Sequence, residues 1–181
     1  MKNILLLLLT TFTLTCCDKD DNNKPKTELE KLPPATQIGA NTIGCLINGK
    51  AFLPKGTFPF GNKYCNYTDG EDFNIRISEK INDDIRSIYV FNDNEQLEVG
   101  TTYLLKQNLN TNSLPSGYAT FADFTNSNGG DFITTNSVTG ELKITNHNFN
   151  QATLSGTFWF DAVNSSGQKV EVREGRFDMQ Y

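Results

Sequence analysis

The chain has 181 residues, of which 37% are hydrophobic, 11% aromatic and 20% charged, a composition that supports a packed core and excludes a disordered polymer. Sixteen basic against 21 acidic residues leave a formal net charge of -5. With no basic cluster a nucleic-acid partner is not expected, because phosphate contacts need concentrated Lys and Arg. The single histidine excludes multi-His metal centres and most His-based triads within one chain.

Residues 1–16 read as an export signal. Lys2 precedes the apolar stretch Ile4–Leu9, and Thr10–Leu14 continue without charge. The run is too short to span a bilayer, which needs about 20 apolar residues, and it has the length of a secretory h-region. It ends in Leu14-Thr15-Cys16-Cys17, followed by Asp18-Lys19-Asp20-Asp21. That ending resembles a bacterial lipobox. The resemblance implies lipidation of Cys17, with Leu14 in the leucine slot; lipidation of Cys16 is the alternative, with Thr13 poorly suited there. Acyl chains contribute about 0.8 kcal/mol per buried CH2, so a lipidated cysteine would hold the chain at a membrane. The acidic stretch after Cys17 resembles the surface-export signal of Bacteroidota lipoproteins. Outer membrane is therefore the expected location, with the domain facing outward. Residues 17–36, polar and containing Pro25, Pro33 and Pro34, read as a flexible tether.

Residues 37–181 read as one β domain. Asn48-Gly49, between Cys45-Leu46-Ile47 and Ala51-Phe52-Leu53, is a hairpin signal. Period-two alternation marks Phe73–Ser78, with the odd positions apolar. Ile88-Tyr89-Val90-Phe91 is apolar on both faces, the pattern of a central strand covered on both sides. Gln107–Gly117 reads as the longest loop. Glu141–Thr145 and Leu154–Asp161 alternate with even positions apolar, and Val170 and Val172 continue that pattern. Phe177, Met179 and Tyr181 are odd, so a bulge near Gly175 must swap the faces. About ten short strands separated by turns predict an antiparallel β-sandwich, with an up-and-down calycin-like barrel as the alternative.

Cys45 and Cys65 are either a disulfide or two buried thiols. Leu32–Gln37, Gly44–Phe52, Leu154-Ser155-Gly156-Thr157-Phe158 and Glu174-Gly175-Arg176-Phe177 together resemble a family of uncharacterised Bacteroidota lipoproteins, a domain of unknown function. The resemblance runs from about Leu32 to Tyr181. It implies a lipidated β domain and supplies no catalytic residues.

Little in the sequence points to chemistry. There is no nucleophile elbow or phosphate-binding glycine loop. His147, in Asn146-His147-Asn148, reads as an exposed loop residue. Glu71-Asp72, Asp83-Asp84 and Asp93 with Glu95 are the acidic clusters from which a glycoside hydrolase would have to be built. Asp123, Asn126, Asn128 and Asp131 surround Gly129-Gly130, but their spacing is not that of an EF-hand. No metal or cofactor is expected. Trp159 falls on the polar face of its strand, and Tyr64, Tyr67 and Tyr118 lie in or near loops. Exposed rings can stack on sugars or anchor a protein. The expectation is a non-enzymatic surface module that binds a glycan or protein partner, with Trp159 as ligand contact. A carrier of a small apolar ligand and a carboxylate-pair hydrolase are the alternatives.

Overall fold

The computed structural model describes residues 25–93, 95–106, 116–125 and 130–181. The signal segment, Cys16 and Cys17, the start of the tether, most of the long loop, and Asn126 and Asn128 lie outside these residues. Eleven strands are present among those described: β1 (Thr42–Ile47), β2 (Lys50–Phe52), β3 (Lys63–Thr68), β4 (Asp72–Ile81), β5 (Asp84–Asp93), β6 (Thr102–Leu105), β7 (Ser116–Asp123), β8 (Gly130–Ile133), β9 (Gly140–Asn148), β10 (Thr153–Val163) and β11 (Lys169–Gln180). They form one sheet in the order β2-β1-β11-β10-β9-β6-β7-β5-β4-β3, and β8 pairs with both β10 and β7. Pairing between strands is antiparallel except at Leu105–Gly117, where β6 and β7 run parallel.

The sheet is rolled so that its two halves share a core. Phe52 of β2 meets Phe121 of β7 edge-on at 6.3 Å, and Phe73 of β4 meets Phe177 of β11 at 5.8 Å. The interior is filled by fully buried side chains, including Phe52, Phe73, Phe160, Ile75, Ile77 and Leu142. The expected all-β, sandwich- or barrel-like architecture is therefore observed, made from one continuous sheet. The β1–β2 hairpin turns at Asn48 and Gly49, both at positive φ, as a two-residue primed turn requires.

Bulges decide which residues face in. Between Phe158 and Phe160 of β10, β11 advances from Gly175 to Val172, one residue more than its partner. The added residue lies beside Gly175, where Glu174 adopts φ 55°, and the swap it produces leaves Val172 and Phe177 both buried. A second bulge, in β9, pairs Ile144 with Gly156 but Asn146 with Ser155. It turns His147 inward opposite Leu154, which corrects the reading of His147 as an exposed loop residue.

The two glycines of the family-like phrases lie under each other's phenylalanine. Gly156 pairs with Phe177 and Gly175 with Phe158. A Cβ on Gly156 would approach the Phe177 ring to 2.7 Å, and one on Gly175 would approach the Phe158 ring to 2.5 Å.

Part of the expected tether is seated on the domain. Leu32 is buried, and a Glu28 carboxylate oxygen accepts the Ala51 N–H of β2 at 2.8 Å. Asp178, on the outer side of β11, accepts the Thr36 hydroxyl at 2.6 Å and the Gly39 N–H at 2.8 Å. It also accepts the Ile38 and Ala40 N–H groups at 3.0 Å and the Ser155 hydroxyl at 2.8 Å. Burial pushes this carboxyl up, but the hydrogen bonds from Thr36, Ala40, Ile38 and Ser155 outweigh it and hold it well below the usual carboxylate range.

Candidate functional site

The outer face of β3, β4, β5 and β7 carries an aromatic surface. Inward positions on these strands are Phe73, Ile75 and Ile77, then Ile88 and Val90, then Ala119 and Phe121. Outward positions are the alternate residues, because strand side chains alternate between faces. The pairing register sets them in rows. Tyr64, Arg76, Tyr89 and Thr120 form one row; Asn66, Asn74, Phe91 and Tyr118 form the next. One step further lie Asp72 of β4 and Asp93 of β5, near enough for the Asp72 charge to act on Asp93.

The rings along these rows are stacked. Tyr89 and Phe91 are 5.8 Å apart and 9° from parallel; Phe91 and Tyr118 are 4.5 Å apart and 14° from parallel. All three are half-buried. The Arg76 guanidinium lies over the Tyr64 ring at 4.6 Å, a cation–π contact. Its Nη2 also donates to the Gly61 carbonyl at 2.7 Å and the Phe60 carbonyl at 3.3 Å. Phe60 beside it is 88% exposed. Among the described residues, no hydrogen bond engages the hydroxyls of Tyr64, Tyr89 or Tyr118. Burial, with the Asp72 charge added, pushes the Asp93 carboxyl up; burial and then Asp93 push the Tyr118 phenol up.

Trp159 lies elsewhere, on the outer face of β10, and is 36% exposed. Its indole N–H donates to Glu141 at 3.1 Å, and Arg173 covers its ring at 5.4 Å. Arg173 and Lys169 in turn hold Asp161 at 2.7 and 2.8 Å. The tryptophan therefore sits within a charged lattice that already occupies its N–H and one neighbouring cation.

A family model described as "Domain of unknown function (DUF6252)" matches residues 66–179, well over half of the chain. The chain belongs to that family. No curated protein and no solved structure matches it. The family match begins at Asn66 and spans β4 to β10 entire, so it contains the stacked rings and both aspartates. The seated part of the tether and the β1–β2 hairpin precede it.

The remaining candidate residues are dispersed. Tyr64 and Tyr118 are on strands of the aromatic face rather than in loops, whereas Tyr67 points inward. There it forms a cluster with His147, Phe149 and Tyr181. The His147 ring lies 3.9 Å from that of Phe149 and 4.9 Å from that of Tyr67, and its Nε2 is 3.1 Å from the Tyr181 hydroxyl. Cys45 and Cys65 carry free thiols, Cys45 buried and Cys65 half-buried. Burial pushes both up, Cys65 to about 12. Glu71-Asp72 and Asp93-Glu95 come together, with the Glu95 N–H on the Glu71 carbonyl at 3.3 Å. Asp83-Asp84 lies at the opposite end of the β4–β5 pair. Asp123 accepts the Thr125 N–H and hydroxyl at 2.9 and 2.6 Å, and no acidic, Cys or His group among the described residues is placed to hold a metal ion.

Tyr89 and Phe91 are the candidate residues the sequence reading missed. The run Ile88–Phe91 reads as covered on both sides, but β5 is covered on one. The signal was available in Asn74 and Arg76, the polar face of the alternating neighbour β4.

Proposed function

We propose that this chain is a lipid-anchored, non-enzymatic binding module of a bacterial envelope, and that it engages its ligand through the outer face of β3–β4–β5–β7. The carrying observation is the Tyr89–Phe91–Tyr118 stack, flanked by phenol hydroxyls that no other group in the described structure uses. Aromatic rings with an apolar body and a polar tip are suited to such contacts. The lipobox-like Leu14–Cys17 supports attachment at an outer membrane through Cys17. Aromatic filling of the interior speaks against a carrier of an apolar ligand, which needs an internal volume of several hundred Å3. Among the described residues, the Asp72/Asp93 pair lies at the edge of a sheet face and not in the enclosed cleft that hydrolases use to exclude water.

Two measurements test this reading. In a lipoprotein-processing host, the chain should incorporate labelled fatty acid and the Cys17→Ser variant should not. A photo-reactive residue at position 118 should form adducts with envelope material, whereas one at Lys143, on the outer face of β9, should not. Equal adducts at both positions would remove the proposed face, and release of shortened sugars from envelope polysaccharide would remove the non-enzymatic reading.

A further inference from the structure

We infer that the ligand of the β3–β4–β5–β7 face is a neutral, hydroxyl-rich polysaccharide, laid across the Tyr89–Phe91–Tyr118 stack with its hydroxyls reaching the Asp93 carboxylate and the tyrosine hydroxyls. This rests on the reading of that face as the binding surface and names its occupant.

Three features select a sugar over a protein partner. First, polar and aromatic groups alternate at the spacing of a sheet. The outward rows interleave Tyr64, Tyr89, Phe91 and Tyr118 with Asn66, Asn74, Asp72 and Asp93. A protein hot spot instead needs a contiguous, desolvated centre. A sugar ring presents C–H groups and hydroxyls side by side and meets both kinds of group at once. Second, the available groups are hydroxyls and acceptors. The Tyr64, Tyr89 and Tyr118 hydroxyls have no hydrogen-bond partner among the described residues, and a carboxylate accepting a hydroxyl makes a short, charge-assisted hydrogen bond. Third, the face covers about 13 Å along the strands and about 14 Å across four of them. It is a flat surface suited to several linked rings rather than a pocket for one.

Charge selects a neutral chain. Asp72 already acts on Asp93, and burial together with Asp72 keeps the Asp93 carboxyl raised. A sugar acid placed there would add a third negative charge. The cation beside the stacked rings, Arg76, is committed to the Tyr64 ring and to the Phe60 and Gly61 carbonyls. The chain as a whole carries a formal charge of -5. An acidic polysaccharide laid across Asp72 and Asp93 would therefore meet repulsion.

The test uses the full chain, purified in detergent, and immobilised glucan, mannan, xylan and polygalacturonate as probes. The expected result is retention on at least one of the three neutral polymers and none on polygalacturonate. On the retaining polymer, Tyr118→Ala and Asp93→Asn should each weaken binding by about tenfold or more, the loss of one good hydrogen bond or ring contact. Tyr118→Phe separates the hydroxyl from the ring and keeps the stack if Tyr118→Ala disturbs folding. Trp159→Ala should bind as the parent does. Retention on polygalacturonate, alone or beside a neutral polymer, overturns the assignment of a neutral chain, and retention on none of the four overturns the sugar assignment; if adducts then still form from position 118, the binding face stands and its occupant is a protein. Loss of binding in Trp159→Ala with no change in Asp93→Asn or Tyr118→Phe overturns both the occupant and the face.

Discussion

The ring of Tyr118 lies 4.5 Å from that of Phe91 and within 14° of parallel, directly across the β5–β7 pairing. Offset aromatic pairs of this kind contribute about 0.5–1.5 kcal/mol beyond their burial. The phenol oxygen contributes nothing comparable, since it has no partner among the described residues. Tyr118→Ala should therefore lower unfolding stability by about 1–2 kcal/mol. Tyr118→Phe should leave it within about 0.5 kcal/mol of the parent. Urea unfolding of the two variants separates ring from hydroxyl. A large loss in Tyr118→Phe would show that the hydroxyl has a structural partner and is not reserved for a ligand.

Asp178 ties the strap at Thr36–Ala40 to β10 and β11 through five hydrogen bonds. Removing its charge leaves three backbone N–H groups competing for a weaker acceptor. Asp178→Asn should cost about 3 kcal/mol at neutral pH. The folded carboxyl is held below its usual range, so its contribution is complete above the unfolded value near 4 and is lost as pH falls below that. The difference between parent and variant should shrink between about pH 4 and pH 2. A constant difference across that range would mean that packing, not the carboxylate charge, accounts for the effect.

Gly156 and Gly175 explain why two distant phrases of the sequence share a form, each a glycine near a phenylalanine. Each glycine leaves room for the aromatic ring of the other strand, the arrangement by which cross-strand rings cover strand glycines. A methyl at Gly175 would meet the Phe158 carbonyl oxygen as well as its ring, both at 2.5 Å, and backbone cannot swing aside as a side chain can. Gly175→Ala should destabilise by about 2–3 kcal/mol. Gly49→Ala meets nothing within 4 Å and tests the separate cost of positive φ. A Gly175→Ala variant as stable as the parent would show that the bulge at Glu174 can relax.

Much of the fold was legible because burial on one side of a sheet writes itself as alternation. Phe73–Ser78, Glu141–Thr145 and Leu154–Asp161 announce β4, β9 and β10, and the parity change between Val172 and Phe177 announces the β11 bulge. The β9 bulge was hidden, because Thr145–Asn148 contains no apolar residue whose parity could change. The strands β3 and β6 were hidden as well. Their outward residues include Tyr64 and Leu104, so polarity does not mark the face. The aromatic surface was unreadable for a related reason. Tyr89 and Phe91 look like core residues, and only the folded structure shows that both are half-exposed. Register, which joins Tyr64 to Arg76 and Phe91 to Tyr118, is a long-range property that no local pattern carries.

His147 closes one end of the roll, and its titration should be visible in stability. Its ring is packed against Phe149, Tyr67 and Tyr181, with Nδ1 3.4 Å from the Leu97 carbonyl and Nε2 3.1 Å from the Tyr181 hydroxyl. Burial pushes its pKa down, and the Leu97 carbonyl only partly opposes this. The folded protein therefore favours the neutral ring, while the unfolded chain takes up a proton near pH 6.5. Stability from this group is present above that value and is lost as pH falls through it toward the lower folded value. The urea midpoint of the parent should fall between pH 7.5 and pH 5.5, a window above the range where ordinary carboxylates titrate. In His147→Gln the same change of pH should move the midpoint less, even though the variant starts lower through lost ring packing. Identical pH dependence in the two proteins would place the proton uptake elsewhere and leave the Tyr67–His147–Tyr181 cluster as packing alone.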